Sequence, residues 1–380
     1  MKILGIETSC DETAAAVVED GRRILSNVVV SQIDIFAEYG GVIPEVAARS
    51  HLEAILPVID KAMADAECSW DDIDAIAVTH APGLLGSLLI GTLTARTLTV
   101  LHDKPLYAVH HLKSHVYANW LDDMESKNTP LRNALSRPSS RGSVAPCLAR
   151  RQTYSSEEYS SDFIRPSFPL LALVVSGGHT QILYMRAHNQ FEIIGTTHDD
   201  AVGECFDKVA KILGLPYPGG PSIAKAARSG DADRYKLPHP KVEGLDFSFS
   251  GLKTAVLRTV QKEVGVPISY PSHKLKELLT QQQVCDFAAS FQKTAVEILC
   301  EKLEEALDRY PEIQSVVVAG GVSANKELRE VLKEAFFPAP SLSGDNGAMV
   351  AAAAYYEIQS GVKPTDPYSL NIYPRVSVEK

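Results

Sequence analysis

Two histidines four residues apart are the first residues in this sequence whose types and spacing suggest chemistry. His111 and His115 lie in the string HHLKSH at residues 110–115. On an α-helix, positions i and i+4 share one face, so both imidazoles could bind one metal ion. Position 112 is Leu, so the glutamate that serves as the base in H-E-x-x-H peptidases is missing. The spacing alone leaves two interpretations open, a partial metal site and a chance pair.

Two glycine-rich segments, each after an apolar run typical of a strand, are candidate phosphate sites. They are Ser176-Gly177-Gly178-His179-Thr180 and Gly320-Gly321-Val322-Ser323-Ala324-Asn325. Glycine lets the backbone approach a ligand closely, and successive N–H groups can hold a phosphate. Neither segment matches the G-x-x-x-x-G-K-[ST] loop or the G-x-G-x-x-G fingerprint. The alternatives are a tight hairpin turn for the first segment and a strand-to-helix turn, capped by Ser323, for the second.

Several acidic and glycine positions are weaker candidates. Asp11 and Glu12 lie in the first predicted turn, where adjacent carboxylates could act as a base or hold a metal ion or a water molecule. The alternative for this pair is a solvated acidic turn. Asp207 in GECFDKVAK and Gly219-Gly220 in YPGGPS are further candidates that carry little weight individually.

The elements that would position these residues repeat one plan. Two pairs of apolar runs joined by short polar turns predict β-hairpins: residues 2–7 with 13–18, and 170–175 with 180–185. Each hairpin is followed by a strand, a glycine-containing turn and a helix, in residues 73–98 and 313–335. Matched halves predict an α/β duplication with a cleft between two lobes. Ligands of such sheets bind near the carboxyl ends of the strands, where the candidate turns lie.

Two long helical patterns complete the plan. Residues 280–310 have apolar side chains at helical spacing. Four of these mark one face: Phe287, Phe291, Ala295 and Leu299. The last helix is predicted over residues 345–360, with Asp345 as its N-cap and Gly361 as its C-cap.

The composition excludes several classes of protein. The 380 residues include 37 Lys plus Arg and 47 Asp plus Glu, a net charge of −10, and 45% are hydrophobic. Such a chain can build a sizeable core and is neither a disordered polypeptide nor a disulfide-stapled mini-protein. The six cysteines form no C-x-x-C pair, which argues against a zinc ribbon and favours a reducing compartment. With neither a signal peptide nor a membrane-spanning pattern recognisable, we expect a cytoplasmic protein without a membrane partner.

One segment, residues 128–166, differs from the rest in its content of Ser, Arg and Pro. Residues 128–165 hold six arginines against three acidic residues, a local net charge of +3 in an acidic chain. We interpret the segment as a flexible insertion. It is either an inert surface loop or a basic segment that grips a polyanion.

Taken together, nine strings in order along nearly the whole chain resemble the TsaD/Kae/Qri family of tRNA threonylcarbamoyltransferases, once labelled glycoproteases. The strings are GIETSCDET (5–13), YGGVIPEVAARSH (39–51), APGL (81–84), HHLKSH (110–115), VSGGHTQIL (175–183), GECFDKVAKILGLPYPGGP (203–221), DFSFSGLKTAV (246–256), AGGVSANKELR (319–329) and DNGAM (345–349). The string GGVIPEVAARSH is similar to the bacterial TsaD branch of the family.

The resemblance implies the two-lobed actin/Hsp70/sugar-kinase fold, a duplicated RNase H-like α/β architecture that agrees with the repeated plan. The implied domains are a first lobe at residues 1–120 completed by the C-terminal segment 345–380, the insertion at 121–166, and a second lobe at 167–344. Ser343-Gly344 precedes Asp345 where relatives commonly have Cys-Thr, a change that bears on how Asp345 is positioned.

The resemblance also implies a site. The metal ligands of the family correspond to His111, His115 and Asp345, which would hold one divalent ion per subunit. Two imidazoles and one carboxylate suit iron(II) or zinc(II), and iron(II) is the ion we expect. The adenylate-binding positions correspond to eight residues: Val174, Val175, Ser176, Gly177, Gly178, Asp207, Gly220 and Asn325. We expect Asp11 or Glu12 to assist catalysis by removing a proton or holding a water molecule.

The implied reaction moves the threonylcarbamoyl group of threonylcarbamoyl-AMP to the exocyclic amine of adenosine at position 37 of tRNAs that read codons beginning with A. That amine is a poor nucleophile, so orientation and activation of the electrophile must supply most of the rate. The implied partners are tRNA, a TsaB-type protein and a TsaE-type protein. The alternatives are a non-catalytic scaffold similar to TsaB and an actin-fold ATPase or kinase.

Overall fold

The computed structural model describes residues 1–122 and 165–379, in which the backbone forms two mixed β-sheets. Residues 123–164, nearly all of the predicted insertion, lie outside the described residues. The two positions that flank this stretch lie side by side. Arg165 donates a hydrogen bond to the carbonyl oxygen of Trp120, and its Nη2 lies 2.7 Å from Oδ1 of Asp122.

The first sheet is made of apolar runs whose side chains are largely buried on both faces. Its strands are β1 (Lys2–Glu7), β2 (Glu12–Glu19), β3 (Arg23–Ser31), β4 (Ala75–Ala81) and β5 (Leu106–His110). Their order is β3-β2-β1-β4-β5, with the hairpin strands antiparallel and β1, β4 and β5 parallel. The helices of this half are α1 (Ile33–Tyr39), α2 (Pro44–Asp65), α3 (Leu85–His102) and α4 (His111–Tyr117). Helix α2 packs on β2 and β3 and against α3.

The second sheet repeats this arrangement. Its strands are β6 (Leu170–Val175), β7 (Thr180–Ala187), β8 (Gln190–Thr196) and β9 (Ser315–Ala319). Their order, β8-β7-β6-β9, has the same connectivity as β3-β2-β1-β4. The remaining helices are α5 (Val202–Leu213), α6 (Gly219–Ala227), α7 (Ser250–Glu263), α8 (Gln281–Arg309), α9 (Lys326–Val331) and α10 (Gly347–Gln359). Both predicted hairpins and the repeated plan are therefore confirmed.

Helices α4 and α10 pack against each other and connect the two sheets. Helix α10 lies on β1 and β2, and α4 contacts β6 and β9. A methyl group added at Gly5 would lie 2.2 Å from the carbonyl oxygen of Gly347, so glycine lets α10 lie directly on β1. One buried cluster includes Ile3 of the first sheet, Leu170 of the second and Met349 of α10. The domain boundaries inferred from the sequence stay a prediction.

Three details of the helices differ from the predictions or sharpen them. The long helix is α8, and its four marked apolar residues are all buried, as predicted. The last helix begins at Gly347, and its N-cap is Asn346, whose side chain accepts a hydrogen bond from the backbone N–H of Met349. The prediction of Asp345 as N-cap was wrong, because Asn346 occupies that role and leaves the Asp345 carboxylate free. The C-cap is Ser360, and Gly361 follows it.

Within residues 1–122 and 165–379, none of the helices combines the length and the apolar character needed to cross a membrane.

Candidate metal centre

Three side chains that could hold a metal ion converge at α4. His111 and His115 are four residues apart on that helix, with ring centroids 4.5 Å apart. Asp345 reaches them from the segment before α10. Its Oδ1 lies 3.1 Å from Nε2 of His115 and 3.6 Å from Nε2 of His111. One ligand atom from each residue lies within 4.8 Å of the other two. We call these three residues the triad, and metal binding by it stays a prediction.

The donor set and its burial fit a divalent metal ion. His115 is 1% exposed, and neither of its ring nitrogens has a hydrogen-bond partner among the described residues. The approach of Asp345 to Nε2 is an ion-pair distance without the alignment of a hydrogen bond. Leaving a buried polar group unsatisfied costs about 1–3 kcal/mol, a cost that a bound metal ion would remove. Two imidazoles and one carboxylate also leave coordination positions open for a substrate or water.

The charges of the triad are arranged to hold a cation. Burial raises the pKa of the Asp345 carboxyl, but His111 and His115 outweigh it and hold that pKa at about 2. Burial lowers the pKa of His111, but Asp345 and Glu7 outweigh it and raise that pKa to about 9. In the metal-free protein, a proton on His111 therefore balances the carboxylates at neutral pH. A metal ion bound there would displace this proton.

Glu7 is a functional candidate that the sequence reasoning missed. The residue ends β1 and is fully buried, and its Oε2 lies 3.2 Å from Nδ1 of His111. The same carboxylate accepts hydrogen bonds from the Thr79 hydroxyl, at 2.6 Å, and from the backbone N–H of Ser9. With Nδ1–H of His111 donating to Glu7, loss of the second ring proton on metal binding would leave Nε2 as the lone-pair nitrogen that faces Asp345. Carboxylates orient metal-binding imidazoles in this way. No sequence motif marks Glu7 beyond the string GIETSCDET.

A network of hydrogen bonds places Asp345. The amide nitrogen of Asn346 donates to the carbonyl oxygen of Gly344 at 2.8 Å, while its oxygen caps α10. Arg329 donates to the Ser343 hydroxyl at 3.1 Å and to the carbonyl oxygen of Ser323 at 2.6 Å. Ser343 thus connects the second glycine-rich segment to the segment that carries Asp345. This is a positioning role for the Ser343-Gly344 pair noted in the sequence.

The predicted catalytic carboxylates, Asp11 and Glu12, lie where β1 turns into β2. Burial, together with the negative charges of Asp345 and Asp11, raises the pKa of Glu12 to about 10. Glu12 is therefore protonated at neutral pH in the metal-free protein. Its Oε1 accepts a hydrogen bond from the Ser31 hydroxyl at 3.4 Å. Ser9, three residues before Glu12, has its Oγ 3.2 Å from Nδ1 of His111, so this turn lies beside the triad.

The first glycine-rich segment forms the β6–β7 turn. The backbone N–H of Ser176 donates to the carbonyl oxygen of His179, and the Ser176 hydroxyl accepts from the N–H of His179 at 3.1 Å. Side chains added at Gly177 and Gly178 would meet no protein atom within 4 Å. Burial, and next the electrostatic influence of His111 and His115, lower the pKa of His179 to about 4, so this turn also lies near the triad.

Val174 and Val175, the last residues of β6, are fully buried. Any contact of these two positions with a ligand would therefore come from their backbone atoms.

Asp207 and its neighbours lie across the cleft from the acidic turn. Oδ1 of Asp207 accepts a hydrogen bond of 2.6 Å from the backbone N–H of Gly219, and burial raises the pKa of this carboxyl. Asp207, Tyr217 and residues 37–40 at the end of α1 line a cavity of about 260 Å³ between the lobes. A side chain added at Gly220 would meet open space.

Both polar atoms of the Asn325 side chain make hydrogen bonds within the protein. Its oxygen accepts from the backbone N–H of Leu328 and caps α9, and its amide nitrogen donates to Gln292 at 2.9 Å. The expected capping role of Ser323 was wrong, since Asn325 performs it. The structure thus brings the triad, the acidic turn and the first glycine-rich turn together, and sets Asp207 opposite them. The contacts of Asn325 are with α8 and α9.

The larger cavity, of about 410 Å³, lies away from the triad in a groove between α3 and Tyr368. Its lining is mainly apolar and includes Leu93, Val100 and Leu101 of α3. Further apolar residues of α2 and α3 are exposed: Leu52, Leu56, Leu85 and Leu89. This groove contains no titratable cluster, so it is a candidate contact surface and not a candidate for chemistry.

Known proteins are similar to this chain over nearly its whole length. The family model described as TsaD, tRNA N6-adenosine threonylcarbamoyltransferase, matches residues 23–136 and 157–352. A protein with that same name from Symbiobacterium thermophilum is 46% identical over 370 residues, covering 95% of this chain and 93% of the relative. Another from Thermomicrobium roseum is 44% identical over 376 residues, covering 96% and 93%.

The fold of nearly the whole chain is similar to that of part of a larger protein of known structure. HypF from T. kodakarensis matches 94% of this chain and 48% of its own length, with a TM-score of 0.55 and 14% identity. At that identity the likeness concerns the fold alone, and it confirms the predicted two-lobed α/β class of actin and sugar kinases.

Proposed function

The chain belongs to the TsaD family of tRNA N6-adenosine threonylcarbamoyltransferases, and from this premise we propose how its site performs the transfer. The exocyclic amine of adenosine 37 attacks the carbonyl carbon of threonylcarbamoyl-AMP. A bond forms between N6 and that carbon, the bond from the carbon to the phosphate oxygen breaks, AMP leaves, and the amine loses one proton. The similarity supports this transfer and gives no support to a scaffold or an ATPase.

The observation that carries the proposal is the triad with its unsatisfied His115. His111, His115 and Asp345 would hold one divalent ion, iron(II) or zinc(II), and Glu7 would orient His111. A metal ion held by these residues would supply Lewis acidity toward an oxygen of the acyl donor, which would make the carbonyl carbon more electrophilic.

The residues around the triad would hold the acyl donor. The β6–β7 turn offers open space at Gly177 and Gly178, so its backbone can approach a phosphate group closely. Across the cleft, Asp207 uses Oδ1 for Gly219, and its second oxygen would accept a hydrogen bond from a ribose hydroxyl. Gly220 leaves room for the nucleotide beside it. Asn325 would shape the loop that faces the ligand by capping α9.

The turn that carries Asp11 and Glu12 would accept the proton that the amine loses. Burial raises the pKa of Glu12 and favours its protonated form, which would donate a hydrogen bond, whereas Asp11 would accept the proton from the amine. If Asp11→Asn and Glu12→Gln leave single-turnover rates unchanged, neither residue has this role.

The tRNA must approach a protein with a net charge of −10. We propose that the arginines of segment 128–165 bind tRNA phosphates, although most of this segment lies outside the described residues. Removal of one arginine–phosphate interaction should reduce the slope of log affinity against log salt by about 0.9. Deletion of residues 128–164 should weaken tRNA binding and flatten this slope. An unchanged slope would show that the segment is inert.

A TsaB-type protein is the partner we propose for the exposed apolar face of α2 and α3. Leu52 and Leu56 of α2 are 65% and 57% exposed, and Leu89 and Leu93 of α3 are each 44% exposed. Helices α2 and α3 pack side by side, and exposed apolar residues on neighbouring helices are typical of a surface that binds another protein. The double variant Leu52→Glu, Leu89→Glu should lose binding, while Val362→Glu, which lies elsewhere, should retain it. A TsaE-type partner and a cytoplasmic location stay predictions.

The test of the proposed function is product formation. The protein, its partners, threonylcarbamoyl-AMP and unmodified tRNA should yield threonylcarbamoyl-adenosine, detected by mass spectrometry of digested tRNA. Asp345→Asn should abolish the product. Asp71→Asn, an exposed acid in the turn before β4, is the matched control and should retain it. A folded wild type that gives no product with active partners would contradict the proposal.

A further inference from the structure

Residues 365–379, which follow α10, run across the first lobe in turns and irregular structure, and we call them the C-terminal strap. The backbone N–H of Thr365 donates to the carbonyl oxygen of Leu106 in β5 at 2.7 Å. Further along, the N–H of Tyr373 donates to the carbonyl oxygen of His80 at 3.0 Å, and the carbonyl oxygen of Pro374 accepts from Gly83. The strap therefore runs from the start of β5, at Leu106, to the carboxyl end of the neighbouring strand β4, at His80.

The strap then contacts His110, the residue immediately before the first triad histidine. His110 is buried and is the N-cap of α4: its Nδ1 accepts from the backbone N–H of Leu112 at 3.2 Å. Because Nδ1 is an acceptor, the ring proton lies on Nε2, which donates to the carbonyl oxygen of Val376 at 3.3 Å. Both ring nitrogens of His110 thus connect the first turn of α4 to the strap.

Beyond His110, the strap reaches the second lobe. Val378 is 1% exposed and belongs to the buried cluster that contains residues of both sheets. Oε1 of Glu379 accepts a hydrogen bond of 2.9 Å from the backbone N–H of Ile193 in β8. One continuous segment therefore contacts the edge of the first sheet, the start of α4 and the outer strand of the second sheet.

We propose that the C-terminal strap is a positioning element of the metal centre, acting through His110, and that it clasps the two lobes together at the triad. His110 contacts no triad carboxylate and would bind neither metal nor substrate. It sets the direction in which α4 leaves β5, and hence where the imidazoles of His111 and His115 stand relative to Asp345. The inference rests on the proposed metal site but not on the transfer reaction.

The test measures metal affinity without tRNA or acyl donor. Co²⁺ is titrated into the full-length, metal-free protein, and binding is followed by the visible absorption of the cobalt ion. His110→Asn keeps a capping oxygen for the N–H of Leu112 but loses the reach to Val376. Truncation after Arg375 removes the accepting carbonyl group itself. Each change should weaken Co²⁺ binding by about tenfold, the lower end of the effects seen for outer-shell partners of metal ligands.

Combination of the two changes separates a positioning role from general stability. Truncation removes the hydrogen bond to His110 together with the contacts of Val378 and Glu379, so adding His110→Asn to the truncated protein should weaken Co²⁺ binding no further. Glu379→Gln keeps an accepting oxygen for Ile193 and should bind as the wild type does. Additive losses of affinity, or unchanged affinity in both variants, would overturn the inference.

If the truncated protein fails to fold, two full-length variants of His110 still test the inference. His110→Gln keeps a donor toward Val376 and loses the capping nitrogen, so it should bind Co²⁺ more tightly than His110→Asn. Equal or reversed affinities would overturn the inference. Unchanged Co²⁺ binding in the variants leaves the proposed metal site intact, whereas a wild type that binds no Co²⁺ refutes that site and the strap's role together.

Discussion

Replacement of Glu7 by glutamine should weaken metal binding about ten- to hundredfold while leaving the fold intact. The two oxygens of Glu7 accept from three donors: Ser9, Thr79 and Nδ1–H of His111. A glutamine has one oxygen and one NH2 group. At least one of the three donor groups would therefore face the NH2 group, which is itself a donor. A buried hydrogen bond to a charged group contributes about 1.5–3 kcal/mol, and about 1.4 kcal/mol is a factor of ten in affinity.

In the assay, the metal-free protein competes with a chelator for Co²⁺, at a buffered pH where the chelator's affinity for Co²⁺ is known. Thr79→Val is the matched control, because it removes one donor to Glu7 but keeps the carboxylate that faces His111. Its affinity should fall by less than about threefold, since Glu7 keeps both carboxylate oxygens and its contact with Nδ1–H of His111. A Glu7→Gln protein that is folded and binds Co²⁺ as tightly as the wild type would refute the orienting role.

Further predictions concern pH and packing. The pKa of His111 is raised to about 9, so its stabilising charge is fully present below its unfolded pKa of about 6.5 and lost as pH rises toward 9. Urea unfolding of the metal-free protein should show this fall, and His111→Gln should flatten it. Burial raises the pKa of Glu357 to about 7, so Glu357→Gln should stabilise the protein at pH 8, and lower stability there would contradict this. Gly5→Ala should destabilise by about 3 kcal/mol or more, because its methyl group would collide with the backbone of α10, and it should lower metal affinity by moving Asp345. Gly177→Ala, which faces open space, should leave the melting temperature unchanged but weaken binding of the acyl donor. Wild-type stability of Gly5→Ala or wild-type donor binding of Gly177→Ala would contradict these expectations.

The hairpins, the duplicated plan and the shared face of His111 and His115 followed from local patterns. Apolar runs with short polar turns and an i, i+4 spacing depend only on neighbours in sequence, so periodicity is enough to predict them. The third member of the triad did not follow from spacing. Asp345 is more than two hundred residues away along the chain, and only the resemblance connected it to the histidines.

Neighbouring residues with similar propensities were harder to assign. Asp345 and Asn346 are both good N-caps, and the structure uses Asn346 because the carboxylate of Asp345 gains more beside two imidazoles. The same ambiguity affected Ser323 and Asn325 at α9. Propensity ranks residue types but does not see the charges that a fold brings beside them.

Two positioning features had no sequence signal. Glu7 is a single acid at the end of an apolar strand, and its role appears only when the parallel pairing of β1 with β4 brings Thr79 and α4 beside it. The strap contacts His110 through a backbone carbonyl group, which every residue carries. Contacts made through the main chain leave no trace in the choice of side chain.

The most direct test of the proposed metal centre is metal reconstitution during a single turnover. Metal-free protein with its partners, threonylcarbamoyl-AMP and unmodified tRNA should form no threonylcarbamoyl-adenosine. Stepwise addition of Fe²⁺ or Co²⁺ should restore the product in proportion to occupancy, up to one ion per chain, and Asp345→Asn should show neither binding nor product. Full turnover by protein shown to be free of metal, or restored activity in Asp345→Asn, would contradict the central role of the triad.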